Sequence, residues 1–192
     1  MSPNTNRDQA EGLRRILAGQ RSRQLCFLSA VSAAQKNAVL LNLAAALVRA
    51  GNEVHVLDAS LSAQGIGSCA APALAHTLWD VAQQGAALQD AVREHELGIY
   101  LSRLSAQALA QLPSQAGERE KLSRVLREMS PNANFWLLDT DLQSNNPFVL
   151  PELSASEVMV LVANTPTSIK NASRINSISK IWMIFLPRWD AI

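Results

Sequence analysis

Gln24-Leu25-Cys26-Phe27-Leu28-Ser29-Ala30-Val31-Ser32-Ala33-Ala34-Gln35-Lys36-Asn37 is an apolar run that opens into a loop of small residues, and its flanks decide the fold. Residues 24–29 are too few for a helix and suit a strand buried on both faces of a parallel sheet. Residues 36–50, KNAVLLNLAAALVRA, are strong helix formers and close on Gly51, the usual residue just past a helix end. Residues 53–58, EVHVLD, give a second buried strand that ends in an acid. The sum is a βαβ unit with its loop at the carboxyl end of the first strand, where open α/β sheets bind ligands.

The alternation continues outward. A helix is expected around residues 76–84, carrying Leu78, Trp79 and Val81, and a strand over 97–101. Residues 118–129 place Leu122, Val125, Leu126 and Met129 on one helical stripe, residues 135–139 form a strand ending in Asp139, and 158–162 form another. Asn164 to Thr167 lead into a helix beginning near Ser168, and the apolar tail at 181–189 reads either as a final strand or as an exposed patch. These features predict a doubly wound, mostly parallel α/β sheet over residues 24–192. Ahead of it lies an arm, residues 1–23. Within the arm, residues 8–18 form a short amphipathic helix, with Asp8 and Glu11 spaced as a capping box and Ala10, Leu13, Ile16 and Leu17 on one face. A polar linker follows Gly19.

With 192 residues the chain suits one α/β domain. A formal net charge of +1 and 17% charged residues provide no basic field, which disfavours a nucleic-acid partner. No apolar run reaches the ~20 residues needed to span a bilayer, and the first residues lack a secretory layout, so a cytoplasmic location is the default expectation. Cys26 and Cys69 read as reduced intracellular thiols, and His55, His76 and His95 show no metal-ligand spacing.

Several segments together resemble the MinD/ParA branch of P-loop ATPases. The stretch 31–37 stands where that group has K-G-G-x-G-K-[ST]; Asn42-Leu43-Ala44 resembles the N-L-A after the loop; Val56-Leu57-Asp58-Ala59 resembles a strand ending in D-A-D. Leu138-Asp139-Thr140 resembles the Walker B strand end, and residues 164–172 resemble T-P-x-P-T-S-[IL]-x-[DN]-A. The arm adds Asp8-Gln9-Ala10-Glu11-Gly12-Leu13-Arg14, similar to the D-Q-A-x-x-L-R of FlhG (FleN), the flagellar-number regulator. The FlhG resemblance implies an ATPase body that dimerises on ATP and binds membrane, and an N-terminal helix that engages the GTPase FlhF and stimulates GTP hydrolysis. Asp8, Gln9, Ala10, Leu13 and Arg14 would carry that contact. The family's C-terminal adenine-contacting segment and amphipathic membrane helix have no counterpart here, which argues against direct membrane contact.

The loop itself departs from the pattern. Val31 stands at the first lysine, Ser32 and Ala33 at the paired glycines, Gln35 at the last glycine and Asn37 at the hydroxyl; Lys36 matches. Phosphate loops use glycine because backbone N–H groups must turn inward at dihedrals that side chains obstruct. Each side chain forced into a left-handed conformation costs about 1–3 kcal/mol, so two weaken nucleotide binding by about a hundredfold. Asn37 replaces the usual magnesium-binding hydroxyl, and Ser60 stands at the second acid of D-A-D.

Lys36, Asn37, Asp58 and Asp139 are therefore the expected residual nucleotide site, with ATP and magnesium held weakly and no residue assigned to catalysis. Fold memory, with Lys36 as a helix start and the aspartates as strand-end residues, is the competing account. The expected function is protein binding by an FlhG-like regulator. A divergent ATPase dimerising on ATP, a truncated relative without activity, and pairing with an intact paralogue stay open.

Overall fold

A computed structural model of the chain describes residues 22–61, 64–69, 74–105, 116–129, 133–141, 157–173 and 181–186. The arm helix expected over residues 8–18, with Asp8, Gln9, Ala10, Leu13 and Arg14, lies outside the described residues.

The elements run in the order β1 (Arg23–Ser29), α1 (Ala33–Arg49), β2 (Val54–Asp58), a 3-10 turn (Ile66–Cys69), α2 (Leu78–Gln84), α3 (Leu88–Ala91), β3 (Val92–Glu94), β4 (Tyr100–Arg103), α4 (Ala116–Met129), β5 (Phe135–Asp139), β6 (Glu157–Ala163), α5 (Pro166–Ala172) and β7 (Ile181–Leu186). They build one seven-stranded sheet ordered β3-β4-β2-β5-β1-β6-β7. Every pairing is parallel except β3 with β4. The expected α/β class holds.

The central strands are apolar throughout because both faces are covered. Cys26, Leu28, Leu57, Trp136, Leu138, Val158 and Val160 point to one side, against Leu78 of α2 and Leu122, Val125, Leu126 and Met129 of α4. Their sequence neighbours Leu25, Phe27, Val56, Leu137 and Leu161 point to the other, against Leu40 and Ala44 of α1. Period-two alternation thus feeds two cores, one on each side of the sheet. Full burial of each large side chain contributes about 1.5–3 kcal/mol, so the sheet's central strands are where most of the stability is stored.

Of the boundaries that differ from the sequence expectation, three bear on the site and its sheet. The strand expected over 97–101 is β4 at Tyr100–Arg103, because Gly98 takes φ 71° in a turn that His95 N–H closes on the Ile99 carbonyl at 2.8 Å. That turn returns the chain from β3, a short antiparallel edge strand the sequence did not signal. α5 starts at Pro166, with the Thr165 hydroxyl as cap, rather than near Ser168. The third concerns α1 and belongs to the site.

Candidate functional site

The strand order sets the site. β2 and β5 are neighbours in register, so Asp58 and Asp139 sit side by side at their carboxyl ends, and β1 beside β5 delivers the chain to the start of α1. Both aspartates are fully buried.

α1 begins at Ala33, three residues earlier than expected, with Ser32 as its N-cap. Ser32 Oγ accepts the Gln35 N–H at 3.3 Å, while Gln35 Oε1 accepts the Ser32 N–H at 3.3 Å and its hydroxyl at 3.0 Å. This is a capping box, which satisfies helix-end donors with side chains. The loop expected over 30–37 contracts to residues 30–32, so the turn that would wrap a phosphate is not formed. Val31 N–H is held by Ser29 Oγ at 3.2 Å, and Ser168 Oγ donates to the Ala30 carbonyl at 2.8 Å while accepting the Ala163 N–H at 2.8 Å. The contracted loop is thereby fastened to β6 and α5.

Lys36, the residue that matched the family pattern, points inward. Its Nζ lies 2.5 Å from Asp139 Oδ1, with the lysine side chain 4% exposed. The other oxygen of Asp139 accepts the Ile66 N–H at 2.8 Å. Asp58 accepts the Ser60 N–H at 3.1 Å and the Gly67 N–H at 3.0 Å, and Arg103 Nε stands 3.6 Å from it. The segment around the 3-10 turn is thus pressed onto both carboxylates. A Cβ added at Gly67 would lie 2.7 Å from Asp58 Oδ2, and one at Gly65 closer still to that carboxyl, so both positions require glycine for space. Asn37 Nδ2 donates to the Gln64 carbonyl at 3.2 Å and lies 3.5 Å from Cys69 Sγ, tying α1 to the same segment.

The structure places Lys36, Asp58 and Asp139 together at the strand ends, with Lys36 paired to Asp139, and ties Asn37, Asp58 and Asp139 to the 64–69 segment. A further residue, Asp141, joins them. It accepts the Ser60 hydroxyl at 3.0 and 3.1 Å through its two oxygens and the Leu61 N–H at 2.6 Å. Its signal was the second acid in Leu138-Asp139-Thr140-Asp141, just past a strand end.

Burial governs the electrostatics. It raises the Asp58 carboxyl from 3.8 to about 6, helped by the charge of Asp139 and opposed by the Ser60 and Gly67 amides. Burial also raises Asp139, against the pull of Lys36. The Cys26 thiol, buried beneath Thr140, is pushed up to about 11 and is an unreactive core group.

Among the described residues no cluster of three or more His, Cys, Asp or Glu side chains could hold a metal ion. The donor set does not fit a magnesium-bound triphosphate. Lys36 is paired with Asp139, each buried aspartate already accepts at least one backbone amide, and the helix end is capped by Ser32 and Gln35. No helix among the described residues is long and apolar enough to cross a membrane.

No protein-family model and no curated protein matches the chain. Solved structures do. The MinC:MinD cell division protein complex of Aquifex aeolicus matches with a TM-score of 0.65 and 15% identity, over 85% of this chain and 68% of the matched one. The kinase domain of the Escherichia coli tyrosine kinase ETK matches at 0.63 and 14%, over 94% and 73%. A ParA family ATPase from Chlorobium tepidum matches at 0.61 and 16%, over 85% and 73%. Identities this low establish the fold, and the fold is that of the MinD/ParA-type P-loop ATPases.

Proposed function

We propose that this chain is an FlhG-like regulator that acts by binding protein, with ATP hydrolysis lost. The observation that carries the reading is the buried Lys36–Asp139 ion pair, formed behind a helix start that Ser32 and Gln35 have closed. A phosphate would have to replace Asp139 as the partner of Lys36 and displace the capping box, for a net gain much smaller than in an open loop. The activity then falls to the arm. Asp8, Gln9, Ala10, Leu13 and Arg14, whose sequence resembles the D-Q-A-x-x-L-R pattern, would carry the contact with an FlhF-type GTPase. The test is the GTP turnover of such a partner with and without the purified chain. Stimulation is expected, reduced by Gln9→Ala and indifferent to ATP; no stimulation by the intact chain would sink the proposal.

A second reading rests on a different observation: Lys36, Asp58 and Asp139 gather at the strand ends of an ATPase fold. It makes the chain a divergent ATPase that dimerises on ATP. Calorimetry with millimolar ATP and magnesium separates the two, since this reading requires a saturable heat that Lys36→Ala abolishes.

A further inference from the structure

The amino ends of the strands carry a second constellation, at the opposite end of the sheet from Asp58 and Asp139. Register places Glu94 of β3, Tyr100 of β4, His55 of β2 and Trp136 of β5 in a row across four adjacent strands. Trp136 belongs to the core under α2 and α4, so the row lies on that face of the sheet. The ring of His55 leans on those of Tyr100 and Trp136, with centroids 4.9 and 5.0 Å away. Between this row, α3 and the end of α4 lies an open cavity of about 610 Å³, within the range of small-molecule sites. Glu53, His55 and Tyr100 line it together with the apolar Leu88, Val92 and Met129. His55 precedes Asp58 by three residues on β2, about 10 Å along the strand, so this is a separate site.

Two observations give the cavity its sign. Among the described residues that line it, Glu53 is the only charged one, and its side chain is 37% exposed, open to a ligand. Glu94 adds a carboxylate beside Tyr100, while Arg93, whose register partner Leu101 packs on the α1 side, falls on the other face. The second observation is on His55. Its Nε2 lies 3.4 Å from Glu53 Oε1, and a carboxylate only accepts, so Nε2 carries the proton and Nδ1 a lone pair. Burial lowers the basicity of the ring and keeps it neutral at neutral pH. Nδ1 is buried with no hydrogen-bond partner among the described residues, an unmet acceptor on a ring that lines the cavity.

We propose that this cavity binds a small organic amine, its ammonium paired with Glu53 and its apolar body packed among Tyr100, Leu88, Val92 and Met129. Carboxylate and lone pair both favour a positive charge, and the face of Tyr100 favours one too. The apolar walls select a cation with a hydrocarbon body, since a bare metal ion needs about six oxygen ligands that they do not supply. The proposal depends neither on the arm nor on nucleotide.

The test is calorimetric titration of the full chain at neutral pH with three probes that share one ring: 2-phenylethylamine, 2-phenylethanol and phenylacetate. The amine should saturate the chain with a Kd of about 1 mM or tighter, at least tenfold below the alcohol, with phenylacetate weakest. Glu53→Gln, which alters a partly exposed side chain and keeps its length, should bring the amine level with the alcohol while the circular dichroism spectrum stays unchanged. Tyr100→Leu should weaken amine and alcohol, the amine more. Glu120→Gln, an exposed acid on α4, should change nothing. Absence of saturable heat with the amine would overturn the proposal. So would an amine that binds no better than phenylacetate, or one indifferent to Glu53→Gln.

Discussion

Lys36 and Asp139 stand 2.5 Å apart at the junction of α1 and β5, a cation and an anion that both lie out of reach of solvent. Such a pair adds little net stability over an apolar one, yet breaking it by half is expensive because a buried charge is left alone. Lys36→Ala should therefore destabilise the fold by about 3–5 kcal/mol at neutral pH. Lys36→Met with Asp139→Asn should recover most of that loss, since asparagine still accepts the Ile66 amide. Urea unfolding of the three chains measures both numbers. Equal losses in the single and double variants would refute the pairing.

The raised carboxyl of Asp58 predicts a pH dependence of definite sign. A group with a folded value of about 6 and an ordinary value of 3.8 binds more protons when folded. Its stabilising contribution is complete below 3.8 and is lost as the pH rises through 6. A shift of this size corresponds to about 2–3 kcal/mol. His55 works in the opposite direction, because burial lowers it, and its contribution disappears as the pH falls below its ordinary 6.5. Comparison with Asp58→Asn isolates the first effect. Between pH 4 and 8 the wild type should lose stability relative to that variant, and parallel curves would count against the shift.

Closure of the helix start is a matter of two side chains. Ser32→Ala removes the acceptor for the Gln35 amide and should cost about 1 kcal/mol, read as a fall in the denaturation midpoint. Gln35→Ala removes the reciprocal half of the box and should cost less. If Ser32→Ala instead leaves the midpoint unchanged, the capping box is not holding α1.

Two glycines offer a contrast in space. Gly67→Ala drives a methyl group to 2.7 Å from Asp58 Oδ2 and should cost about 1–3 kcal/mol through overpacking. Gly117→Ala in α4 meets nothing within 4 Å and favours helix, so it should be neutral or slightly stabilising. Thermal melts of the two variants suffice, and the order of their midpoints is the test.

The central strands β1, β2, β5 and β6 were legible in the sequence because burial on both faces writes an unbroken apolar run. Lys36, Asp58 and Asp139 were legible by position, at strand ends and a helix start. Their contacts with residues 64–69 were not, because that segment carries no periodic signal. The start of α1 was hidden because Ser32 and Gln35 fall inside the stretch set against the K-G-G-x-G-K-[ST] pattern, where their capping-box spacing carried no separate signal. β3 is too short and too charged to show any strand pattern, and Asp141 stands outside every apolar run.

The groups that quiet Asp58 and Asp139 from the 3-10 turn are the main-chain amides of Ile66 and Gly67. A backbone donor survives any substitution except proline, so this half of the closure is nearly immune to sequence drift. What the turn does require is glycine at 65 and 67, where a Cβ would meet the Asp58 carboxyl. A ligand approaching Asp58 and Asp139 from this side would have to displace those main-chain amides.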